Sequence, residues 1–243
     1  MMRNLKVSIC LASYNGELFI KRQVETILPQ LYPSDEIIIS DDSSNDSTLD
    51  IIQSFNDKRI KLFANNNFRS PMQNFQHAIM QAQGDIIFLC DQDDIWFANK
   101  IERHLELHKD YDLVISDAIV TDSSLKPIFS SFFKARDSRK GIIHNLLKNR
   151  YIGCCMSFDK KIVSAALPFP KNLHMHDWWI GLVAELVGQV YFLNEPLMYY
   201  IRHNNNASGT LTETLPFITQ LKNRLNLIKN LVEFKINRRN NEG

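Results

Sequence analysis

Two acidic clusters stand directly behind short, uninterrupted apolar runs, and this pairing constrains the fold of the chain more than any other feature. Residues 36–40 (EIIIS) lead into Asp41 and Asp42, and residues 85–90 (DIIFLC) lead into Asp91-Gln92-Asp93-Asp94. An apolar run of that length, bounded by polar residues, reads as a strand buried on both faces. Residues 7–12 and 60–63 read the same way. Between these strands lie helical patterns. Residues 18–28 put Ile20, Val24, Ile27 and Leu28 on one face, residues 48–55 start behind Asp46 or Ser47 as N-cap, and residues 74–83 end at Gly84. Strands alternating with helices predict an α/β fold, a Rossmann-like, mostly parallel sheet with helices on both faces. Such sheets bind ligands at the carboxyl ends of their strands. Both acidic clusters therefore belong on one rim.

The second half is less regular. Strands are expected over 113–120, 151–158 and 190–193, and helices over 142–147 and 178–186, with a loop at Asn204-Asn205-Asn206. From about residue 213 the pattern changes: Leu221, Leu225, Ile228, Leu231 and Val232 recur at helical spacing beside Lys222, Arg224, Lys229, Lys235, Arg238 and Arg239. A basic amphipathic helix of this kind either lies on an anionic membrane surface or packs on the domain.

With 243 residues the chain can bury a core without staples, and its formal net charge of +1 gives no electrostatic footprint for nucleic acid. Cys10, Cys90, Cys154 and Cys155 form no CxxC pair, and they read as free core thiols of a reducing compartment. No leader pattern precedes the first strand, and no apolar run reaches the roughly 18 residues that span a bilayer. The expected location is the cytoplasm, with peripheral contact to the inner membrane face through the terminal helix.

Three carboxylates within four positions at a strand end repel one another unless a cation sits among them. Hard divalent ions such as Mg²⁺ or Mn²⁺ take few protein carboxylates and complete their shell with phosphate oxygens. A carboxylate in the earlier loop, such as Asp41, can accept the N3–H of a uracil or thymine ring. The calcium-loop pattern lacks its glycine and glutamate, and no P-loop or GxGxxG occurs. Further on, Asp177 stands among His176, Trp178 and Trp179. It reads either as a partly buried general base beside sugar-stacking aromatics or as a helix N-cap with core tryptophans. His203 reads as a metal ligand or diphosphate donor, and Arg202 as a phosphate clamp.

Taken in order, these segments resemble glycosyltransferase family 2 and its GT-A fold. Residues 7–15 (VSICLASYN), 36–48 (EIIISDDSSNDST) and 84–96 (GDIIFLCDQDDIW) are similar to that family's first strand, second strand with acidic loop, and DxD region. The DIW extension, residues 153–158 (GCCMSF) and residues 176–179 (HDWW) resemble bacterial rhamnosyltransferase-like members that build surface polysaccharides such as O-antigen or capsule. The resemblance implies a domain over 1–212, with a nucleotide-binding half (1–97) and an acceptor-binding half (98–212), followed by the helix of 213–243. It implies a divalent metal, Mn²⁺ or Mg²⁺, held by Asp93 with Asp91 and His203. The nucleotide of a UDP- or dTDP-sugar would meet Ala12, Tyr14, Asn15, Asp41, Asp42, Asn74, Asp91 and Gln92. Gly153, His176, Trp178, Trp179 and Arg202 would face donor or acceptor sugar. Asp177 would deprotonate a hydroxyl of a glycan or lipid-linked acceptor, giving inversion by a single displacement. Rival readings are a sugar-1-phosphate nucleotidyltransferase, which usually carries a Gly-rich basic signature where Ser13-Tyr14-Asn15-Gly16 stand here, and a non-catalytic carbohydrate-binding module.

Overall fold

The first four strands are β1 (Val7–Ser13), β2 (Glu36–Asp41), β3 (Ile60–Phe63) and β4 (Ile86–Asp91). In the computed structural model, which describes residues 5–203 and 216–242, they run parallel in the order β3-β2-β1-β4. Helices α1 (Ile20–Ile27), α2 (Thr48–Ser54) and α3 (Pro71–Gln81) connect them. The inward face of α1 is Ile20, Gln23, Val24 and Ile27, a spacing that keeps one stripe against the sheet. Helix α3 starts three residues before the sequence expectation. Pro71 takes its first position, and Ser70 caps it by accepting from Gln73 N at 3.4 Å.

The second half adds β5 (Ile95–Trp96), α4 (Lys100–Leu107), β6 (Leu113–Asp122), β7 (Pro127–Phe129), α5 (Phe132–Arg136), α6 (Ile142–Leu147), β8 (Met156–Asp159), α7 (Lys160–Ala166), α8 (His176–Val187) and β9 (Val190–Arg202). The sheet continues as β4-β8-β6-β9-β5, with β7 beside β6. Strand β8 is antiparallel to both β4 and β6, whereas β9 is parallel to β6. The parallel sheet expected from the first half therefore gains antiparallel pairs on one side.

Two elements differ from expectation for identifiable reasons. A tight helical turn at Gly153–Cys155 replaces the start of the strand expected over 151–158. There the backbone presses on α8: a Cβ on Gly153 would lie 3.1 Å from His176 Nε2. Strand β9 continues well past 193 despite Pro196. Register shifts around Asp117 mark an irregularity in β6 where Pro196 lies opposite it, so the ladder absorbs the missing donor.

Register places the strand ends together: Ala12 is paired with both Ser40 and Asp91, and Ser13 with Asp41. All four cysteines are free and buried, as expected of core thiols. The last helix, α9 (Phe217–Glu242), does pack on the domain. Leu227 and Leu231 are buried, Phe234 meets the ring of Trp179 edge-on at 6.1 Å, and Arg224 Nε donates to the Leu147 carbonyl at 2.8 Å. A second row, Ile218, Leu221, Leu225, Ile228, Val232 and Ile236, is left exposed. Among the described residues no helix is long and apolar enough to cross a membrane. The loop at Asn204-Asn205-Asn206 and the 212/213 boundary lie outside the described residues.

Candidate active site

At the β1–β2 end of the rim, most of the residues expected to touch nucleotide brace the loops that shape the rim. Asp41 is fully buried. Its oxygens accept from Ser13 Oγ at 2.7 Å, Ser44 N at 2.8 Å and Ser44 Oγ at 2.6 Å. The expectation that Asp41 reads the base directly gives way to a positioning role, because no face of it reaches solvent. Asp42 accepts from Phe68 N and Ser70 N at 2.6 and 3.2 Å, which fixes the loop before α3. Asn74 donates Nδ2 to the Ser13 carbonyl at 3.1 Å, joining α3 to β1. Asn15 takes a positive φ of 46°, donates its N–H to Ser44 Oγ and accepts from Asn45 N, both at 2.9 Å. Gln92 pairs with the Tyr14 backbone as a peptide group would, accepting from N and donating to O, both at 3.0 Å. The Tyr14 side chain stays 56% exposed, and with Ala12 it is left to meet a planar ligand.

The acidic turn after β4 divides into three roles. Asp93 Oδ2 lies 2.9 Å from His203 Nε2, and the His203 ring stacks on Phe19 at 4.3 Å. The two share a hydrogen bond, and neighbouring ligand atoms in an octahedral shell of a small divalent ion are also about 3 Å apart, so the same spacing suits adjacent ligands of a cation. Asp91 is half-buried. Burial, and then the Asp93 charge, push its carboxyl up to about 7, with Asp177 adding to the rise. Asp94 points inward, where its Oδ1 accepts from Ile201 N at 3.2 Å, and burial raises its pKa well above the carboxylate range. Ligand atoms of Asp91, Asp94 and Cys154 also lie within 4.8 Å of one another. Burial holds the Cys154 thiol protonated, and a neutral thiol is a poor ligand for a hard ion. Asp93 and His203, with Asp91 beside them, are the better donor set.

A fully buried lysine sits beneath this turn. Lys100 Nζ donates to the Cys154 carbonyl at 2.7 Å, contacts Met198 Sδ at 3.1 Å and lies 4.2 Å from the centre of the Trp96 ring. Its charge opposes the rise in the Asp91 pKa. Sequence reasoning missed Lys100. The available signal was Lys100 and His104 at four-residue spacing, with Ile101 beside them, on the face that α4 turns inward.

Asp177 arrives from the other half. It sits in the first turn of α8, only 4% exposed, and its Oδ1 accepts from Trp178 N at 2.7 Å and Asn149 Nδ2 at 3.1 Å. Burial raises its pKa to about 6, against the pull of those hydrogen bonds and of the Arg136 charge. A carboxylate poised there is suited to take a proton near neutral pH. His176 lies between Phe75 at 4.4 Å and Phe169 at 6.4 Å, and burial drops its pKa to about 4, so it is neutral. Both tryptophans are buried, with Trp178 Nε1 donating to the Asn145 carbonyl at 2.7 Å and Trp179 Nε1 to the Ala166 carbonyl at 2.8 Å. They are core residues that fix α8 and offer no open face to a sugar, which corrects that expectation. Arg202 is held against Tyr200, Nη1 to the hydroxyl at 3.1 Å. Asn149, which orients Asp177, was also missed, since nothing local in the sequence links residues 149 and 177.

A parallel half-sheet with an acidic turn at its rim, completed by a second half that supplies a buried carboxylate, defines a transferase of the GT-A type. Residues 8–165 match the profile of glycosyl transferase family 2, and the chain belongs to that family; it is a glycosyltransferase. It is 29% identical over 190 residues, 74% of this chain and 70% of the relative, to the UDP-Glc:alpha-D-GlcNAc-diphosphoundecaprenol beta-1,3-glucosyltransferase WfgD of Escherichia coli. It is 28% identical over 245 residues, 90% of this chain and 79% of the relative, to the dTDP-rhamnosyl transferase RfbG of Shigella flexneri. Among solved structures, S. aureus TarS 1-349 in complex with UDP-GlcNAc superposes with a TM-score of 0.70 at 18% identity, covering 93% of this chain and 67% of that one. Against another structure of S. aureus TarS 1-349 the chain spans 60% of that chain's length, with a TM-score of 0.66. The mannosyltransferase PcManGT from Pyrobaculum calidifontis, in complex with GDP-Man and Mn²⁺, gives 0.60 at 17% identity, covering 83% of this chain and 57% of that one.

Proposed function

We propose that this glycosyltransferase moves one sugar from a UDP- or dTDP-sugar to a hydroxyl of a lipid-linked or polysaccharide acceptor, with inversion at the anomeric carbon. The observation that carries the reading is the meeting of Asp93 and His203 at 2.9 Å, with Asp91 close enough to Asp177 for their charges to interact. Relatives whose names specify UDP-glucose and dTDP-rhamnose donors, one with a diphosphoundecaprenol-linked acceptor, support the substrate class.

In this reading Ala12 and Tyr14 receive the base, and Gln92 holds the loop that carries Tyr14. Asp93 and His203 would hold a divalent ion, which when bound would neutralise charge on the departing diphosphate. Asp91 would serve the donor ribose. Asp177, oriented by Asn149, takes the proton from the acceptor hydroxyl as its oxygen bonds to the anomeric carbon. The bond from that carbon to the diphosphate oxygen breaks, and the nucleoside diphosphate leaves with the electron pair.

The test is release of nucleoside diphosphate from a panel of nucleotide sugars with Mn²⁺, followed alongside thermal stabilisation by the same ligands. Asp93→Ala is expected to abolish turnover, and His203→Ala to lower it by roughly a hundredfold or more, the scale of losing a metal ligand or its close support. Turnover indifferent to chelator and to both substitutions would overturn the metal assignment. Pyrophosphate release from a nucleoside triphosphate and a sugar phosphate would favour the nucleotidyltransferase reading instead.

A further inference from the structure

A groove of about 650 Å³ runs between α3 and the segment that joins α7 to α8. That is the size of a small-molecule site, for which roughly 300–1,000 Å³ is usual. Met72, Gln73 and Gln76, from the first turns of α3, form one wall, and Pro168, Phe169 and Lys171 line the other. The two walls are pinned to each other, since Gln76 Oε1 accepts from Phe169 N at 2.6 Å. The Phe169 ring lies 6.4 Å from that of His176, which stacks in turn on Phe75 of α3 at 4.4 Å. His176 is the chain neighbour of Asp177 in the first turn of α8. One aromatic stack therefore joins the groove to the element that carries the proposed base.

The lining is apolar with hydrogen-bond donors set into it. Met72 is half-buried, and Gln73, Pro168 and Lys171 are exposed. Phe169 takes the Oε1 of Gln76 and leaves its Nε2 to donate elsewhere. Among the described residues nothing accepts from that Nε2, from the Gln73 amide or from Lys171 Nζ. No carboxylate lines the groove among the described residues. A pyranose presents C–H groups on the faces of its ring and hydroxyl oxygens around its edge, so it suits an apolar wall with a few donors beside it. A hydrocarbon chain would cover the same donors and leave them unpaired, which costs binding energy.

We propose that the groove between α3 and residues 168–171 is an acceptor subsite, which holds the sugar next to the one whose hydroxyl reaches Asp177. This rests on the transferase reading above and names the acceptor as the end of an oligosaccharide. Gln73, Gln76 Nε2 and Lys171 donate to the hydroxyl oxygens of that sugar, and its ring face lies on Met72 and Pro168. The consequence is selection by length, an acceptor of two or more sugars being held better than one sugar alone.

The test applies the full chain, with UDP and Mn²⁺ at saturation so that the donor site is filled, to an array of immobilised bacterial oligosaccharides graded in length from one sugar upward. At least one glycan of two or more sugars is expected to be retained, and its one-sugar fragment to be held roughly tenfold less well, the scale of a lost pair of hydrogen bonds. Gln73→Trp fills the groove from an exposed position on α3, and Lys171→Ala removes one donor. The first is expected to weaken retention roughly tenfold or more and the second by a smaller factor, both leaving UDP affinity and melting temperature unchanged. Wild-type retention in both variants, or one-sugar glycans held as well as longer ones, would overturn the subsite. Displacement of the retained glycan by farnesol would assign the groove to a lipid chain and overturn the saccharide role. A chain that binds UDP but retains no glycan refutes the subsite alone; one that retains glycan but does not bind UDP refutes the transferase reading and the acceptor role with it.

Discussion

Asp177 shows how burial and chemistry oppose each other in one side chain. Its pKa of about 6 exceeds that of an unfolded aspartate, so the folded protein binds this proton more tightly than the unfolded chain does. Stability contributed by the protonated form is present at low pH and declines as pH rises through that window. Activity runs the opposite way, because a base must be ionised. Turnover should climb as pH rises through about 6, and at higher pH the same group costs stability. Asp177→Asn keeps the two acceptor bonds of Oδ1 and removes the buried charge. It should abolish turnover and raise unfolding free energy at pH 8 by up to about 3 kcal/mol, at 1.36 kcal/mol per pKa unit. Denaturant titrations at pH 5 and pH 8 check it, and a variant no more stable than wild type at pH 8 would contradict the argument. Residues such as Asp91, Asp93 and Asp177 stood out because each lies at the end of a strand, in the turn behind it, or in the first turn of a helix. Asn149, Lys100 and Arg136 act through tertiary contacts between distant segments, and local pattern carries no trace of such contacts.

Among the elements, the latch between β1 and β4 has the clearest consequence. Gly16 leaves room for Gln92, and a Cβ at Gly16 would lie 2.3 Å from Gln92 Oε1. Gly16→Ala must therefore push Gln92 off the Tyr14 backbone and free the loop that carries Tyr14. The expected result is a rise in donor KM of roughly tenfold, the scale of two lost hydrogen bonds, with the melting temperature little changed. Gln92→Ala should give the same rise, and the double variant no further rise, because both remove one contact. Additive effects would show that the latch is not shared. The buried strands and the helices of the first half were readable from periodicity, since each buries one face against its neighbours in chain order. Strand β9 was read at a third of its length: Pro196 looks like a stop, and only the irregularity in β6 makes it tolerable.

At the scale of the whole molecule, α9 both packs and presents apolar surface. Leu227 and Leu231 face inward while Leu225 and Ile228 remain exposed. The full chain should co-sediment with vesicles of phosphatidylcholine containing about one-third phosphatidylglycerol, less so at high salt. Leu225→Glu with Ile228→Glu should release it without loss of fold, and equal sedimentation of wild type and variant would remove the helix from any membrane role. The two choices offered by sequence, packing or lipid contact, were drawn as alternatives because a helical wheel cannot show that the inward and outward rows lie side by side.

The order β4-β8-β6-β9 also bears on how the chain is made. Strand β4, at the middle of the sheet, has β1 on one side and waits on the other for Met156–Asp159. While the ribosome is still adding the intervening residues, the nascent first half carries an open, apolar parallel edge of the kind that recruits other chains. Residues 1–97 expressed alone should therefore aggregate, and adding residues through β9 should restore solubility. A soluble, monomeric 1–97 fragment would mean that the two halves mature independently. Otherwise the two halves are fused by the folding route itself, and neither could be exchanged between enzymes at residue 97 without replacing the strand that closes its neighbour.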